Sequence, residues 1–237
     1  MNFINPVSID PSFIPYELLA MDHRQKVELF NDQKRVGHYT KGVYQACKNA
    51  ASIFEEIKSD LGDRTFEDFL HPGPYSNLKI ADAERIAPNV IARLPEIAVL
   101  EANRDFAIAA ARFSAPYSAV ANLIGFYAKA SVSINLTEER ISATTEALTY
   151  FEDKDHDGNE FGGFAIPVIQ IALRKAIETE KYFAPAATII NLCKDGRQFF
   201  IWGEAKLNSL IRLHEVTSDC LPDPAWVDSG NDDDIPF

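Results

Sequence analysis

The feature that most constrains the fold is a row of apolar residues at three- and four-residue steps. Between positions 43 and 61 the row consists of Val43, Cys47, Ala50, Phe54, Ile57 and Leu61. Side chains at this spacing lie on one face of an α-helix. Gly62 follows directly, and glycine commonly stands where a helix stops. The sequence therefore predicts an amphipathic helix that ends at Gly62 and turns this row towards a hydrophobic core.

Most of the remaining chain also has helical spacing, and its alanine-rich apolar faces predict close helix packing. Pro88 and Pro95 are expected to separate two of these helices, because proline interrupts a helix interior. The only strand-like run is the short segment RQFFIW at 197–202. The predicted helical segments are 17–35, 78–87, 102–113, 118–130, 137–151, 164–181, 185–194 and 204–216.

These patterns predict a mainly α fold, in which a multi-helix globular body is followed by a disordered acidic tail. Residues 1–16 contain three prolines and are expected to form an extended arm. Residues 17–136 form one helical region, and residues 137–221 form a second that can pack on the first. Residues 222–237 lose apolar periodicity, gain Pro, Gly and Asp, and are expected to be flexible.

Composition narrows the classes of protein further. The 237 residues include 46% hydrophobic residues, enough for a core, and three cysteines without metal or redox spacing. We expect a cytoplasmic protein, because no secretory signal and no apolar run of membrane-spanning length is present. The net charge is −12, and residues 222–237 hold five acids and no base. The body is therefore also acidic, which argues against a broad nucleic-acid surface but leaves a local basic groove open.

The chain ends in three acids followed by Ile, Pro and Phe. A tail that only solubilises has no reason to expose an aromatic ring, since burying such a side chain gains roughly 1.5–3 kcal/mol. Proline restricts the backbone, so less entropy is lost when the segment is held by a partner. A ring and a free carboxylate on one residue suit an apolar pocket rimmed by Arg or Lys. We interpret the segment as a docking peptide made of Asp232, Asp233, Asp234, Ile235, Pro236 and Phe237.

The ending DDDIPF resembles the acidic tip of bacterial single-stranded DNA-binding proteins. In that family the tip recruits nucleases, recombination mediators, helicases and primase-associated subunits. The resemblance covers six to eight residues, which are contiguous and follow a predicted flexible linker. The family's OB-fold, a five-stranded barrel, is not expected here, because the sequence pattern of the body predicts helices. Only the tip residues therefore carry over, and the family's DNA-binding residues do not.

A second resemblance concerns residues 146–193, whose order of helix, loop and helix is similar to phage and plasmid replication proteins, including helicase loaders. It implies a helicase-loader or primosome function in which 137–215 contacts a replicative helicase. No Walker A sequence is present, so a P-loop ATPase is not expected.

The best candidate for nucleic-acid contact is the locally basic segment 174–212, which holds seven bases and four acids. Aromatic rings beside cations are what single strands stack on. The interpretation is that Lys194 and Arg197, with one of Phe199, Phe200 or Trp202, touch single-stranded DNA. Packing of most of these rings in the core is the alternative.

The loop DKDHDGNEF matches only the first half of a calcium-binding loop, through Asp153, Asp155, Asp157 and Gly158. The position of the usual bidentate glutamate holds Phe164, so an ordinary polar loop is favoured over a metal site. The five histidines are scattered and no nucleophile motif is present. We expect no enzyme activity and no cofactor, although a metal-dependent nuclease using the three aspartates is an open alternative.

Together these features predict an accessory protein of DNA replication, recombination or repair, from a phage or other mobile element. Its terminal peptide would recruit or block enzymes that dock on the single-stranded DNA-binding protein. If the helical body binds single strands, this chain would replace the single-stranded DNA-binding protein. If it does not, the chain would act as a competitor or an adaptor. The sequence leaves these alternatives open.

Overall fold

The computed structural model describes residues 33–71, 79–131, 136–154, 160–180 and 182–221. The predicted arm at 1–16, the tail at 222–237 and most of the predicted helix at 17–35 lie outside these residues. The described elements are α1 Gln33–Leu61, α2 Asp63–Leu70, α3 Ile80–Ile91, α4 Ile97–Arg112, α5 Tyr117–Ala130, α6 Glu138–Thr149, β1 Glu152–Lys154, β2 Glu160–Gly162, α7 Ile166–Thr179 and α8 Ala186–Asp219.

The mainly α prediction is confirmed. The two strands form a single antiparallel hairpin, in which Asp153 pairs with Phe161. No OB-fold is formed by the described residues, because such a barrel needs five strands.

Helix α1 follows the predicted apolar row. Val43, Cys47, Ala50, Phe54 and Ile57 are all buried in the core. The helix ends at Leu61, and Gly62 has φ 77°, a backbone conformation that favours glycine. Helix α2 begins at the next residue and packs back on α1. The predicted stop at Gly62 is thus confirmed.

One proline prediction is wrong. Pro88 lies inside α3, which continues to Ile91, instead of separating two helices. Proline lacks only its own N–H, and its carbonyl still accepts a hydrogen bond from the Ala92 N–H at 3.2 Å. Ala87 and Val90 on either side of it are buried, so tertiary packing holds this last turn.

The strand prediction for RQFFIW at 197–202 is also wrong. These residues lie in the middle of α8, a continuous helix of 34 residues that joins the two helices predicted at 185–194 and 204–216. The buried positions of this helix follow helical spacing through Cys193, Phe200 and Leu207. A short aromatic run therefore takes the conformation that its long helical flanks and the core favour.

The hairpin replaces part of the predicted loop between α6 and α7. Gly163 follows β2 with φ 64°, and a Cβ at this position would lie 2.6 Å from the Thr149 carbonyl oxygen. Glycine is thus required for two reasons, its backbone angle and the close approach of α6. The rings of Phe151 and Phe164 stack across the base of the hairpin, with centroids 4.9 Å apart.

Helix α8 lies along α4, α1 and α7, and buried residues from all of them belong to one hydrophobic cluster. Tyr44 contacts Phe199, and eleven residues further along α1 Glu55 contacts Lys206. Because both numbers rise together, α1 and α8 run parallel. The alanines of α4 include Ala107, Ala110 and Ala111 in this core, which confirms the predicted close packing.

Candidate partner and nucleic-acid interfaces

The predicted docking peptide Asp232–Phe237 lies outside the described residues. So do Asp155 and Asp157 of the weak metal candidate, and only the backbone of Asp153 is described, in β1. The part of the chain that the structure describes contains no group of three metal-ligating side chains. The metal hypothesis therefore stays untested at the residues that carried it.

Two residues of the predicted nucleic-acid contact are withdrawn from solvent. Phe200 is fully buried, and Arg197 is 6% exposed. The Arg197 guanidinium donates a hydrogen bond to the Gly163 carbonyl, and its central carbon lies 4.4 Å from the Phe164 ring centroid. Arg197 therefore anchors the hairpin to α8, and the predicted contact rests on the other three residues.

Two of those three residues lie on the outside of α8, and the third faces α1. Trp202 is 67% exposed, and Lys194 is also exposed, with its Nζ 5.0 Å from the Phe151 ring centroid. Phe199 is half-buried and turns towards α1, where it stacks on Tyr44 at a centroid distance of 4.5 Å. The structure thus brings Phe199 and Trp202 to one surface, one turn apart, while Lys194 lies two turns before Trp202.

The surface where α1 and α8 meet carries aromatic rings beside lysines, and we call it the aromatic seam. Its members are Tyr44, Lys48, Phe199, Trp202 and Lys206. The Lys48 Nζ lies 5.8 Å from the Tyr44 ring centroid, and the Lys206 Nζ lies 3.4 Å from that of Phe54. Rings and cations side by side can stack a nucleobase and attract a phosphate.

The aromatic seam also encloses a small apolar pocket of about 300 Å³, lined by residues that include Ala51, Trp202 and Ala205. Its floor is the closest approach of the two helices, where Cys47 contacts Gly203. A Cβ on Gly203 would lie 2.6 Å from the Cys47 Cβ and closer still to its sulfur, so only glycine fits.

A larger groove lies between α1, α5 and α7, and Tyr44 of the aromatic seam also lines it. It has a volume of about 1260 Å³ and is lined on both sides by apolar side chains. Phe126 from α5 is 59% exposed at its edge, and Ile177 from α7 is 47% exposed. Both are large apolar residues in contact with water. We call this feature the α1–α5–α7 groove.

Burial controls the chemistry of the cysteines. Burial raises the pKa of Cys47 to about 12 and raises that of Cys193 further, although the nearby Arg197 charge opposes the second shift. Both thiols therefore stay protonated and unreactive near neutral pH. Cys220, partly exposed, also has a raised pKa, through desolvation and the acidic neighbours Asp219 and Glu84.

Helix α6 illustrates how local sequence positions charge. Thr137 caps it, because its hydroxyl accepts the Arg140 N–H at 3.3 Å. Hydrogen bonds from the Glu139 backbone and the Thr137 side chain lower the pKa of Glu139. The Arg140 side chain donates to the Phe183 carbonyl at 2.9 Å. Arg140 therefore ties α6 to the segment before α8.

The sequence patterns do not predict Tyr44 and Lys48 as members of the aromatic seam, or Phe126 and Ile177 as members of the groove. A signal was present for Ile177, which is a large apolar residue beside Arg174 and Glu178 on its helix. Tyr44 stands one position after the buried Val43, off the apolar row, and only the contact with Phe199 makes it part of a site.

Comparison of the chain with protein-family models, with curated proteins and with solved structures finds no match. Within the described ranges, no helix is both long enough and apolar enough to cross a membrane.

Proposed function

We propose that this chain is a non-enzymatic accessory protein of DNA replication, recombination or repair, acting in the cytoplasm of cells that carry a phage or mobile element. The segment Asp232–Phe237 docks onto enzymes that recognise the acidic tip of single-stranded DNA-binding proteins. The observation that carries the proposal is the contiguous sequence DDDIPF, which joins three carboxylates to an apolar, ring-bearing end.

The chemistry of the segment supports this role. Phe237 fills an apolar pocket, and its carboxylate pairs with an Arg or Lys at the rim. Asp232 to Asp234 add attraction to a basic ridge, which salt screens over a Debye length of about 8–10 Å. Six residues bury far less surface than a standard interface of ~1,600 Å², so the affinity is modest.

The helical fold of the body supports separate roles for the scaffold and for the docking peptide. An OB-fold would supply its own single-strand site, whereas the described residues form a helical bundle. The peptide on this scaffold gives access to the enzymes without requiring the family's DNA-binding barrel. The protein then recruits those enzymes or keeps them from the single-stranded DNA-binding protein.

Displacement of a labelled peptide tests the proposal. A fluorescent peptide with the tip sequence of a single-stranded DNA-binding protein is bound to a nuclease that recognises it, and the full chain is titrated in. We expect displacement that weakens several-fold between 50 and 300 mM salt, roughly as screening predicts. Absence of displacement at ~100 µM chain would overturn the proposal.

Two matched changes sharpen this assay. Asp234→Asn and Asp228→Asn each remove one acid from residues 222–237, but only Asp234 lies in the docking segment. We expect only the first to weaken displacement. A synthetic DDDIPF peptide with a free carboxylate should also compete better than the same peptide with an amidated end, because the amide removes the charge that Arg or Lys binds.

The aromatic seam favours a second activity, binding of single-stranded DNA by the body. The observation behind it is the 67% exposed Trp202 beside the stacked pair of Tyr44 and Phe199. Anisotropy of labelled oligo-dT should show binding that Trp202→Ala weakens about five-fold or more, since one stacked base contributes roughly 1–3 kcal/mol. Tyr117→Ala, which removes an exposed ring outside both the seam and the groove, is the control and should leave binding unchanged.

The helicase-loading alternative makes a different prediction. If the wild-type chain pulls down a replicative helicase and Phe237→Ala does not weaken this binding, the result would favour the helicase-loader alternative, which uses residues 137–215, over the docking segment.

A further inference from the structure

The α1–α5–α7 groove combines an apolar floor with open edges. Buried or half-buried side chains of Tyr44, Leu123, Tyr127 and Leu173 line its inside. Phe126 stands at its edge and is more than half exposed. An apolar surface of this size normally gains free energy when another chain segment covers it, at roughly 25 cal/mol per Å² of area removed from water.

The rim of the groove is basic, although the protein as a whole is acidic. Its bases are Lys41, Arg174 and Lys175, and Lys129 stands beside Phe126 with its Nζ 5.9 Å from the ring centroid. Glu178 is the one acid among the described lining residues.

The ion pairs at this rim are weak. Arg174 meets Glu178 at 3.2 Å with both side chains mostly exposed, and Lys175 lies 3.8 Å from Asp195. Exposed pairs of this kind contribute about 0–1 kcal/mol, so these bases can turn to another carboxylate at little cost.

We propose that this groove holds the protein's own C-terminal segment, Asp232–Phe237. Ile235, Pro236 and Phe237 lie on the apolar floor, while the three aspartates face the basic rim. Residues 222–237 contain five acids and no base, which is the charge that the rim complements. In this arrangement the docking peptide is covered until a partner enzyme competes for it.

The length of the tail permits this contact within one molecule. The groove lies beside the N-terminal half of α8, since Lys175 contacts Asp195 and Tyr44 contacts Phe199. From Phe199 to Leu221 the helix rises about 33 Å, at 1.5 Å per residue. The 16 residues beyond Leu221 span up to about 53–58 Å when extended. An extended tail running back along α8 thus brings its last residues to the groove.

Residues 1–32 join α1 close to the groove and are the competing occupant. They carry five acids and two bases over twice the length, so their charge complements the rim less well. They lack the run of three acids next to an apolar end.

Photocrosslinking of the full chain tests the proposal. Phe237 is replaced by the photoreactive analogue p-benzoylphenylalanine, and a second protein carries the analogue at Trp226, in the same tail but outside the docking segment. We expect the analogue at 237 to crosslink within one molecule to α5 or α7 peptides lining the groove, several-fold more than the analogue at 226. Equal yields, products elsewhere in the body, products in residues 1–32 or dimers alone would overturn the proposal.

Charge reversal supplies an independent test in the same full chain. Arg174→Glu with Lys175→Glu should lower the crosslink at 237 at least five-fold, and Asp233→Lys with Asp234→Lys should restore it. Arg212→Glu is the matched control, because Arg212 pairs with Glu215 on α8 much as Arg174 pairs with Glu178, but lies outside the groove lining. An unchanged yield in the groove variant, or an equal loss in the control, would contradict the assignment.

Covering of the docking peptide until a partner competes for it rests on the proposed function. Binding of the C-terminal segment in the groove does not. Crosslinking uses no partner enzyme, and displacement of a tip peptide by synthetic DDDIPF uses no groove. Failure of the groove contact is therefore distinguishable from failure of the proposed docking function. If both hold, the groove-reversed protein should displace the tip peptide at several-fold lower concentration than wild type.

Discussion

Helix α1 has two interfaces that differ in packing. Towards α8 it approaches so closely that Gly203 has no room for a methyl group beside Cys47. Towards α5 and α7 it leaves a groove of about 1260 Å³ edged by exposed apolar side chains. The same helix therefore forms a closed interface with α8 and an open one with α5 and α7, and Tyr44 takes part in both.

The difference between the two interfaces separates residues that stabilise the fold from residues that can bind a partner or another segment of the chain. Side chains at the closed interface lose packing energy when changed, because protein interiors have crystal-like density. The exposed side chains at the groove edge, Phe126 and Ile177, contribute little to folding until something covers them. Stability measurements should therefore respond to the first set, and binding measurements to the second.

The largest expected effect is at Phe200. Phe200→Ala removes a fully buried ring and should lower the free energy of unfolding by about 3–5 kcal/mol. Trp202→Ala, two residues away on the same helix but mostly exposed, should change it by about 0.5 kcal/mol or less. Urea unfolding followed by circular dichroism measures both. Equal losses of unfolding free energy in the two variants would mean that Phe200 is not buried in the core.

The next effect contrasts two helical glycines. Gly203→Ala places a methyl group against Cys47 and should cost about 1–3 kcal/mol by forcing α1 and α8 apart. Gly125→Ala on α5 meets no atom within 4 Å and should stabilise by about 0.5–1 kcal/mol, since alanine favours a helix. Thermal unfolding of both variants checks the opposite signs. A neutral Gly203→Ala would contradict the close approach.

The buried thiols predict a loss of stability at alkaline pH. Cys47 keeps its proton in the folded state up to about pH 12, whereas an unfolded thiol loses it near ~8.5. Between these values the unfolded state binds fewer protons, so stability is complete below ~8.5 and falls as pH rises. The slope approaches roughly 1.4 kcal/mol per pH unit for one such thiol. Cys47→Ala should reduce this slope, measured by urea unfolding between pH 8 and 10, while Cys193 keeps its own share. An unchanged slope would argue against burial of Cys47.

The smallest effect is at the exposed edge of the seam. Lys206 donates to Glu55 at 2.8 Å, and Glu55 is mostly exposed. A double-mutant cycle with Lys206→Ala and Glu55→Ala should give a coupling of about 0.2–1 kcal/mol that salt reduces. A coupling above ~2 kcal/mol would mean that this edge belongs to the closed interface.

The sequence predicted what local spacing determines. The row from Val43 to Ile57 is buried, and the stop at Gly62 follows from its left-handed φ. Thr137 was expected to begin a helix and does cap α6. These features depend on residues near each other in sequence, so the local pattern predicts them.

Features set by distant contacts were not predictable in this way. Arg197 looked like a surface base, but its partner is the carbonyl of Gly163, 34 residues earlier. Phe199, Phe200 and Trp202 were indistinguishable as a strand-like run, and only the direction of α8 decides which one is buried. The groove likewise arises from three helices far apart in sequence. The docking segment stays a sequence-based prediction.

The most direct test of the account is the affinity of a tip-binding nuclease for the full chain and for its Phe237→Ala variant, measured by calorimetry at 100 mM salt. We expect removal of the ring to weaken binding at least ten-fold, because burial of an aromatic side chain contributes roughly 1.5–3 kcal/mol. Equal affinities for the two proteins would contradict a docking role for the DDDIPF segment.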